Sequence, residues 1–164
     1  MTLAEKARKG QSAPLIDLIC RRERVSPEVI LKGLAEGTIV VPLNRSRKIE
    51  NPCAIGAGLT VKVNANIGTS PQEHDCKREL KKLSVAEDAG ADTVMDLSTG
   101  GDIDSLREKV LTAASVPVGT VPIYQAAVRA GRDKESIVKM GGDDMLGAIA
   151  DQAAQGVDYL TVHA

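Results

Sequence analysis

Four side chains able to bind a small ligand fall where strands should end: Asn66, Met95, Tyr124 and His163. An amide hydrogen-bonds ring nitrogens and hydroxyls, and a thioether packs against polarisable rings. A phenol stacks or donates, and an imidazole titrates near neutrality. Asn66, Met95 and Tyr124 follow one another at intervals of 29 residues, so the spacing predicts equivalent places in successive units. Lys62, Asn64 and Asn66 alternate with Val61, Val63, Ala65 and Ile67. Alternation puts the polar set on one strand face and the apolar set on the other. The apolar set must meet helices, so the polar set is expected to point inward. Such a face is costly unless it finds partners or a ligand.

Other features are weaker. Ser98-Thr99-Gly100-Gly101 before Asp102 reads either as a nest of backbone N–H groups for phosphate or as a plain turn with Asp102 capping a helix. Lys62 is the sole candidate for a Schiff-base lysine. His74, between Glu73 and Asp75, reads as solvated.

The elements that must hold these residues follow from periodicity. The first forty residues read as helical. Thr2 and Glu5 have capping-box spacing, and Ser26-Pro27-Glu28 starts a helix that should stop near Gly37. Thr38 to Pro42 is extended, and Asn44 to Gly58 reads as loop. Strands are then expected over Thr60–Asn66, Thr93–Leu97, Pro117–Ile123 and Tyr159–His163. Helices are expected over Gln72–Asp88, Asp102–Ala114, Tyr124–Ala130 and Asp143–Gln155. This alternation implies a parallel α/β sheet. A weak repeat supports it: Gly90-Ala91-Asp92 and Gly156-Val157-Asp158 each put a Gly at a helix end and an Asp just before a strand. The spacing of 66 residues between those glycines fits two β/α units of a barrel. The chain therefore reads as the first half of a (β/α)8 TIM-type barrel, or as a sequence cut short. Residues 1–58 form a small helical amino-terminal region and loop, and residues 59–164 the first four units. An open doubly wound sheet is the alternative, disfavoured by the lack of a dinucleotide fingerprint.

Composition narrows the function class. The 164 residues carry a formal charge of −1, which argues against a nucleic-acid partner. No apolar stretch is long enough to span a membrane, and no secretion signal is visible, so a cytoplasmic location is expected. There is no Phe or Trp, and only Tyr124 and Tyr159 are aromatic, so the core must be aliphatic. Cys20, Cys53 and Cys76 lack the spacing of a metal or cluster motif and read as ordinary reduced thiols.

The segments Lys62–Ser70, Ala91–Gly101, Pro117–Tyr124 and Gly156–Ala164 closely resemble the phosphomethylpyrimidine synthase (ThiC) family, and the likeness covers nearly the whole chain. The resemblance implies a β/α-barrel radical S-adenosylmethionine enzyme of thiamine biosynthesis, a carbon–carbon lyase. That family converts 5-aminoimidazole ribotide into 4-amino-5-hydroxymethyl-2-methylpyrimidine phosphate. By the same likeness Asn66, Met95, Tyr124 and His163 fall on substrate-binding positions, and the full-length enzyme is a homodimer. The implied cofactors are a 4Fe-4S cluster, S-adenosylmethionine and zinc, whose ligands lie in later family segments outside this chain. One departure is Pro42-Leu43-Asn44-Arg45-Ser46-Arg47, where the family usually has Pro-Ala-Asn-Ile-Asn-His. A paralogous branch, the 5-hydroxybenzimidazole synthases of anaerobic cobamide biosynthesis, acts on the same ribotide and is the alternative. A non-catalytic half-barrel that binds a phosphorylated ligand is the alternative from another class.

Overall fold

The computed structural model describes residues 1–133 and 136–162; His163 lies outside them. Three short helices come first: α1 (Leu3–Arg8), α2 (Pro14–Glu23) and α3 (Pro27–Glu36). The expected capping box forms, with Glu5 N–H donating to Thr2 Oγ1 at 3.1 Å and Thr2 N–H to Glu5 Oε2 at 2.6 Å. Pro27 opens α3, and Gly37 ends it in the left-handed region at φ 78°. Their apolar faces enclose Ile16, Ile19, Ile30, Leu34 and Ile39. Strand β1 (Ile39–Val40) pairs antiparallel with β2 (Ile55–Gly56), a strand inside the stretch read as loop. Two residues carry too little pattern to be seen in sequence.

The second body alternates as expected: β3 (Asn64–Ile67), α4 (Cys76–Asp88), β4 (Thr93–Asp96), α5 (Ile103–Ala113), β5 (Val118–Thr120), α6 (Pro122–Asp133), α7 (Gly142–Gln155) and β6 (Tyr159–Leu160). The sheet is parallel throughout in the order β3-β4-β5-β6, the arrangement of a partial α/β barrel. Its helix-side core joins Ile67, Leu83, Val94, Leu106, Val110, Val116, Val118 and Val157, without an aromatic ring. Burying each such aliphatic side chain contributes about 1.5–3 kcal/mol. Among the described residues, no helix is long and apolar enough to cross a membrane.

Two expectations are corrected. Val61 and Val63 are 93% and 60% exposed, so the strand expected from Thr60 begins only at Asn64. The carboxylate of Glu23 fixes the preceding segment instead, accepting from Thr60 N and Thr60 Oγ1 at 2.9 Å. The third strand stops at Thr120, because Pro122 opens α6. Proline has no N–H for a ladder and suits a first helical turn. Tyr124 is therefore a first-turn helix residue, not a strand end.

The repeat has a mechanical explanation. Asp92 accepts from Val63 N–H at 2.7 Å and pairs with Arg22. Asp158 accepts from Val118 N–H and Asn44 N–H, both at 2.8 Å, and pairs with Arg47. Each aspartate thus ties the start of a neighbouring strand to the amino-terminal region. Arg47 also donates to Leu111 O at 2.8 Å and Ala114 O at 3.1 Å. The Asn44–Arg47 segment is in this way a fastening for the amino end of the sheet.

Candidate functional site

Strand register decides which side chains share a face. Asn64 stands beside Thr93, and Asn66 beside Met95, then Gly119, then Tyr159. The intervening rows, Ala65–Val94–Val118 and Ile67–Asp96–Thr120, face the helices. Ile67 and Val94 belong to the helix-side core, so Asn64 and Asn66 point the other way, as their alternation implies. That face opens on a cavity of about 600 Å³, lined by Leu59, Lys62, Asn64, Thr93, Met95 and Tyr159 among others.

The floor of the cavity is hydrogen-bonded. Tyr159 Oη donates to Asn64 Oδ1 at 2.8 Å and lies 3.2 Å from Val94 O. Thr93 Oγ1 donates to the same amide oxygen at 2.9 Å, and Asn64 Nδ2 donates to Asn66 Oδ1 at 2.9 Å. The Tyr159 ring reaches β3 by lying across Gly119, where an added Cβ would come 2.1 Å from its Cε2. Burial pushes the Tyr159 phenol above its ordinary value, so it remains a donor at neutral pH.

Lys62 is committed elsewhere. Its Nζ lies 2.8 Å from Glu23 Oε1, with both side chains buried, and donates to Thr60 Oγ1 at 2.9 Å. An ammonium held this way is no free nucleophile, which removes the support for Schiff-base chemistry. Burial raises the Glu23 carboxyl, but hydrogen bonds from Lys62 and Thr60 outweigh it and leave the group below its ordinary 4.5. A carboxyl depressed on folding stabilises above its unfolded value and loses that contribution as pH falls through the folded one. Urea unfolding followed from about pH 7 down to pH 3 is expected to show this loss. Glu23→Gln should flatten that part of the profile; an unchanged profile would count against the pair.

The four residues singled out by sequence fare differently. Asn66 and Met95 are register partners on the inner face. Met95 lines the cavity, whereas Asn66 borders a groove of about 430 Å³ at the free edge of β3, beside Arg78, Lys81 and Lys82. The 29-residue interval breaks at the third unit, where the register partner of Met95 is Gly119. Tyr124 is 38% exposed on the first turn of α6. His163 lies outside the described residues. The register row of Met95 continues through Gly119 to Tyr159, and Thr161 Oγ1 lies 4.0 Å from Met95 Sδ.

The Ser98–Gly101 loop is used for packing. Ser98 N–H donates to Asp96 Oδ1 at 3.0 Å, and Thr99 N–H to Thr69 O at 2.8 Å. Asp102 caps α5 by accepting from Ser105 N–H at 3.0 Å. A Cβ on Gly100 would lie 2.2 Å from Ser70 C, so the loop presses against its neighbour. With two amides spent internally and a carboxylate alongside, the turn fits better than the phosphate nest. Asp96, on the helix side, is raised by burial, opposed by its bonds from Ser98.

Sequence reasoning missed the Tyr159–Asn64 contact and the role of Glu23. A glycine inside a strand, Gly119, was the available sign that another group approaches closely. Glu23 had none, because its partners are 37 and 39 residues away.

Among the described residues, no three His, Cys, Asp or Glu side chains converge. Cys20 and Cys53 are buried, Cys76 is half-buried, and burial pushes the Cys53 thiol up to about 11. A thiol that resists ionisation is a poor cluster ligand.

Comparison with known proteins adds the family context. The pattern of the radical SAM ThiC family matches residues 2–164. A phosphomethylpyrimidine synthase of Dehalococcoides mccartyi is 50% identical over 163 residues, 99% of this chain and 38% of that protein. From Moorella thermoacetica, the 5-hydroxybenzimidazole synthase BzaB is 50% identical over 157 residues, 96% of this chain and 37% of its own. A phosphomethylpyrimidine synthase of the same organism is 48% identical over 99% of this chain and 38% of its own. The chain thus spans well under half the length of the relatives it matches.

Proposed function

Because the chain belongs to the radical SAM ThiC family, we propose that it supplies the first four β/α units of an enzyme that binds 5-aminoimidazole ribotide and rearranges it to 4-amino-5-hydroxymethyl-2-methylpyrimidine phosphate. The observation that carries this is the inner row of Asn66 and Met95 beside an open cavity whose polar floor is ordered by hydrogen bonds. In this proposal Asn66 hydrogen-bonds the ribotide and Met95 packs against its ring. Tyr124, from the start of α6, and His163 complete the contacts in this proposal. The enzyme is a cytoplasmic homodimer of the carbon–carbon lyase class. Radical chemistry of this family uses S-adenosylmethionine and an iron–sulfur cluster, a 4Fe-4S cluster with zinc alongside in this proposal. In this proposal the ligands of the cluster and the zinc lie in segments outside this chain, and the role given to this chain is substrate binding.

A second activity, formation of 5-hydroxybenzimidazole from the same ribotide, is favoured by one observation. BzaB is as identical to this chain as the synthase of Dehalococcoides mccartyi, at 50%. Mass spectrometry of the product made by the intact protein decides between the two. A pyrimidine phosphate is the expected result, and 5-hydroxybenzimidazole would transfer the chain to the paralogous branch.

A further inference from the structure

We infer that Tyr159, Thr93 and Asn64 form a hydrogen-bond relay that fixes the amide of Asn66 with its NH2 group outward, so that the site selects a hydrogen-bond acceptor on its ligand at that point. This deepens the ribotide-binding proposal and rests on it. An asparagine amide is an acceptor at one end and a double donor at the other, and a free one turns to suit its surroundings. Asn64 is not free. Its Oδ1 takes hydroxyl donors from Tyr159 at 2.8 Å and Thr93 at 2.9 Å. In the structure the oxygen stands at that end, where it takes both hydroxyl protons, and the NH2 group stands at the other. That group donates to Asn66 Oδ1 at 2.9 Å, which orients the second amide in turn. Asn66 Nδ2 has no hydrogen-bond partner among the described residues.

The source of the relay is well anchored. The Tyr159 ring lies against Gly119, where any side chain would displace it, and its hydroxyl sits near the Val94 carbonyl. Tyr159 thereby carries orientation from β6 across two strands to β3. The bound ligand meets a donor of fixed direction. A ring nitrogen, a sugar oxygen or a phosphate oxygen satisfies it, whereas a group that can only donate meets another N–H. Asn66 is exposed in the free protein, so the discrimination acts when a ligand covers the amide, excludes water and leaves the N–H unpaired.

The test uses the intact protein and measures ribotide affinity by calorimetry, with thermal melts to establish folding. Asn64→Asp is the informative variant. Its carboxylate still accepts from Tyr159 and Thr93 but cannot donate to Asn66, so the Asn66 amide turns and offers oxygen outward. Kd is expected to rise at least about thirtyfold near pH 8, and the ratio to wild type to shrink as lower pH protonates the new carboxyl. Tyr159→Phe keeps the ring over Gly119 and removes one anchor, with an expected rise of about fivefold. If the polarity of the relay were reversed, Asn64→Asp would bind almost as wild type, since its oxygens would then accept from Asn66. Wild-type affinity in both variants, with affinity lost in Asn66→Ala, overturns the relay alone. Wild-type affinity in Asn66→Ala overturns the relay and the ribotide site together.

Discussion

Replacing Asp158 by alanine is expected to lower the unfolding free energy by about 3–5 kcal/mol, the range for stranding one member of a buried ion pair. The Asp158 side chain is fully buried and its partner Arg47 only 9% exposed, so water cannot replace the lost acceptor. The Val118 and Asn44 N–H groups, each 2.8 Å from an Asp158 oxygen, lose their acceptor as well. Arg47 keeps the Leu111 and Ala114 carbonyls, which limits the damage. The equivalent change at Asp92 is expected to cost less, about 1.5–3 kcal/mol, the range for hydrogen bonds to a charged group. There Arg22 is 35% exposed and can turn to solvent. Denaturant unfolding of the two variants measures the difference. Equal losses would show that the two halves of the repeat are not distinguished by burial, and Asp158→Asn, which keeps one acceptor oxygen, should recover part of the stability.

Under the proposed ribotide-binding role, Asn66→Ala is expected to leave the melting temperature of the unliganded protein unchanged and to abolish any stabilisation by 5-aminoimidazole ribotide. Asn66 is exposed, and among the described residues its side chain is hydrogen-bonded to Asn64 alone, so truncation exposes no core. Ligand at a hundredfold excess over Kd stabilises a native protein by about 2.7 kcal/mol, which a thermal melt resolves easily. Protection that persists undiminished in Asn66→Ala would remove Asn66 from the site.

The strand–helix order was legible because each element repeats one pattern over many residues. The capping box at Thr2, the stop at Gly37 and the cap at Asp102 were legible for a related reason: each depends on residues three or fewer positions away, or on a glycine alone. The failures have a common cause. Val61 and Val63 continue the alternation of β3, yet whether they pair depends on a neighbouring strand, and Glu23 holds that segment instead. Tyr124 matched a 29-residue interval, but the first turn of a helix begins where proline removes a ladder donor. An interval along the chain measures position only while both segments keep the same geometry.

What the residues determined by themselves was the parallel α/β class, the polar inner set on β3, and the family likeness carried by long local motifs. Periodicity and motifs are properties of consecutive residues, so they survive without the fold. The tertiary structure alone decided that Asn66 meets Met95 but not Tyr124 in its register row, that Lys62 is claimed by Glu23, and that a tyrosine crosses a glycine to orient two amides. Those are contacts between strands and helices far apart in sequence, set by register and by the space between packed elements, which no single segment specifies.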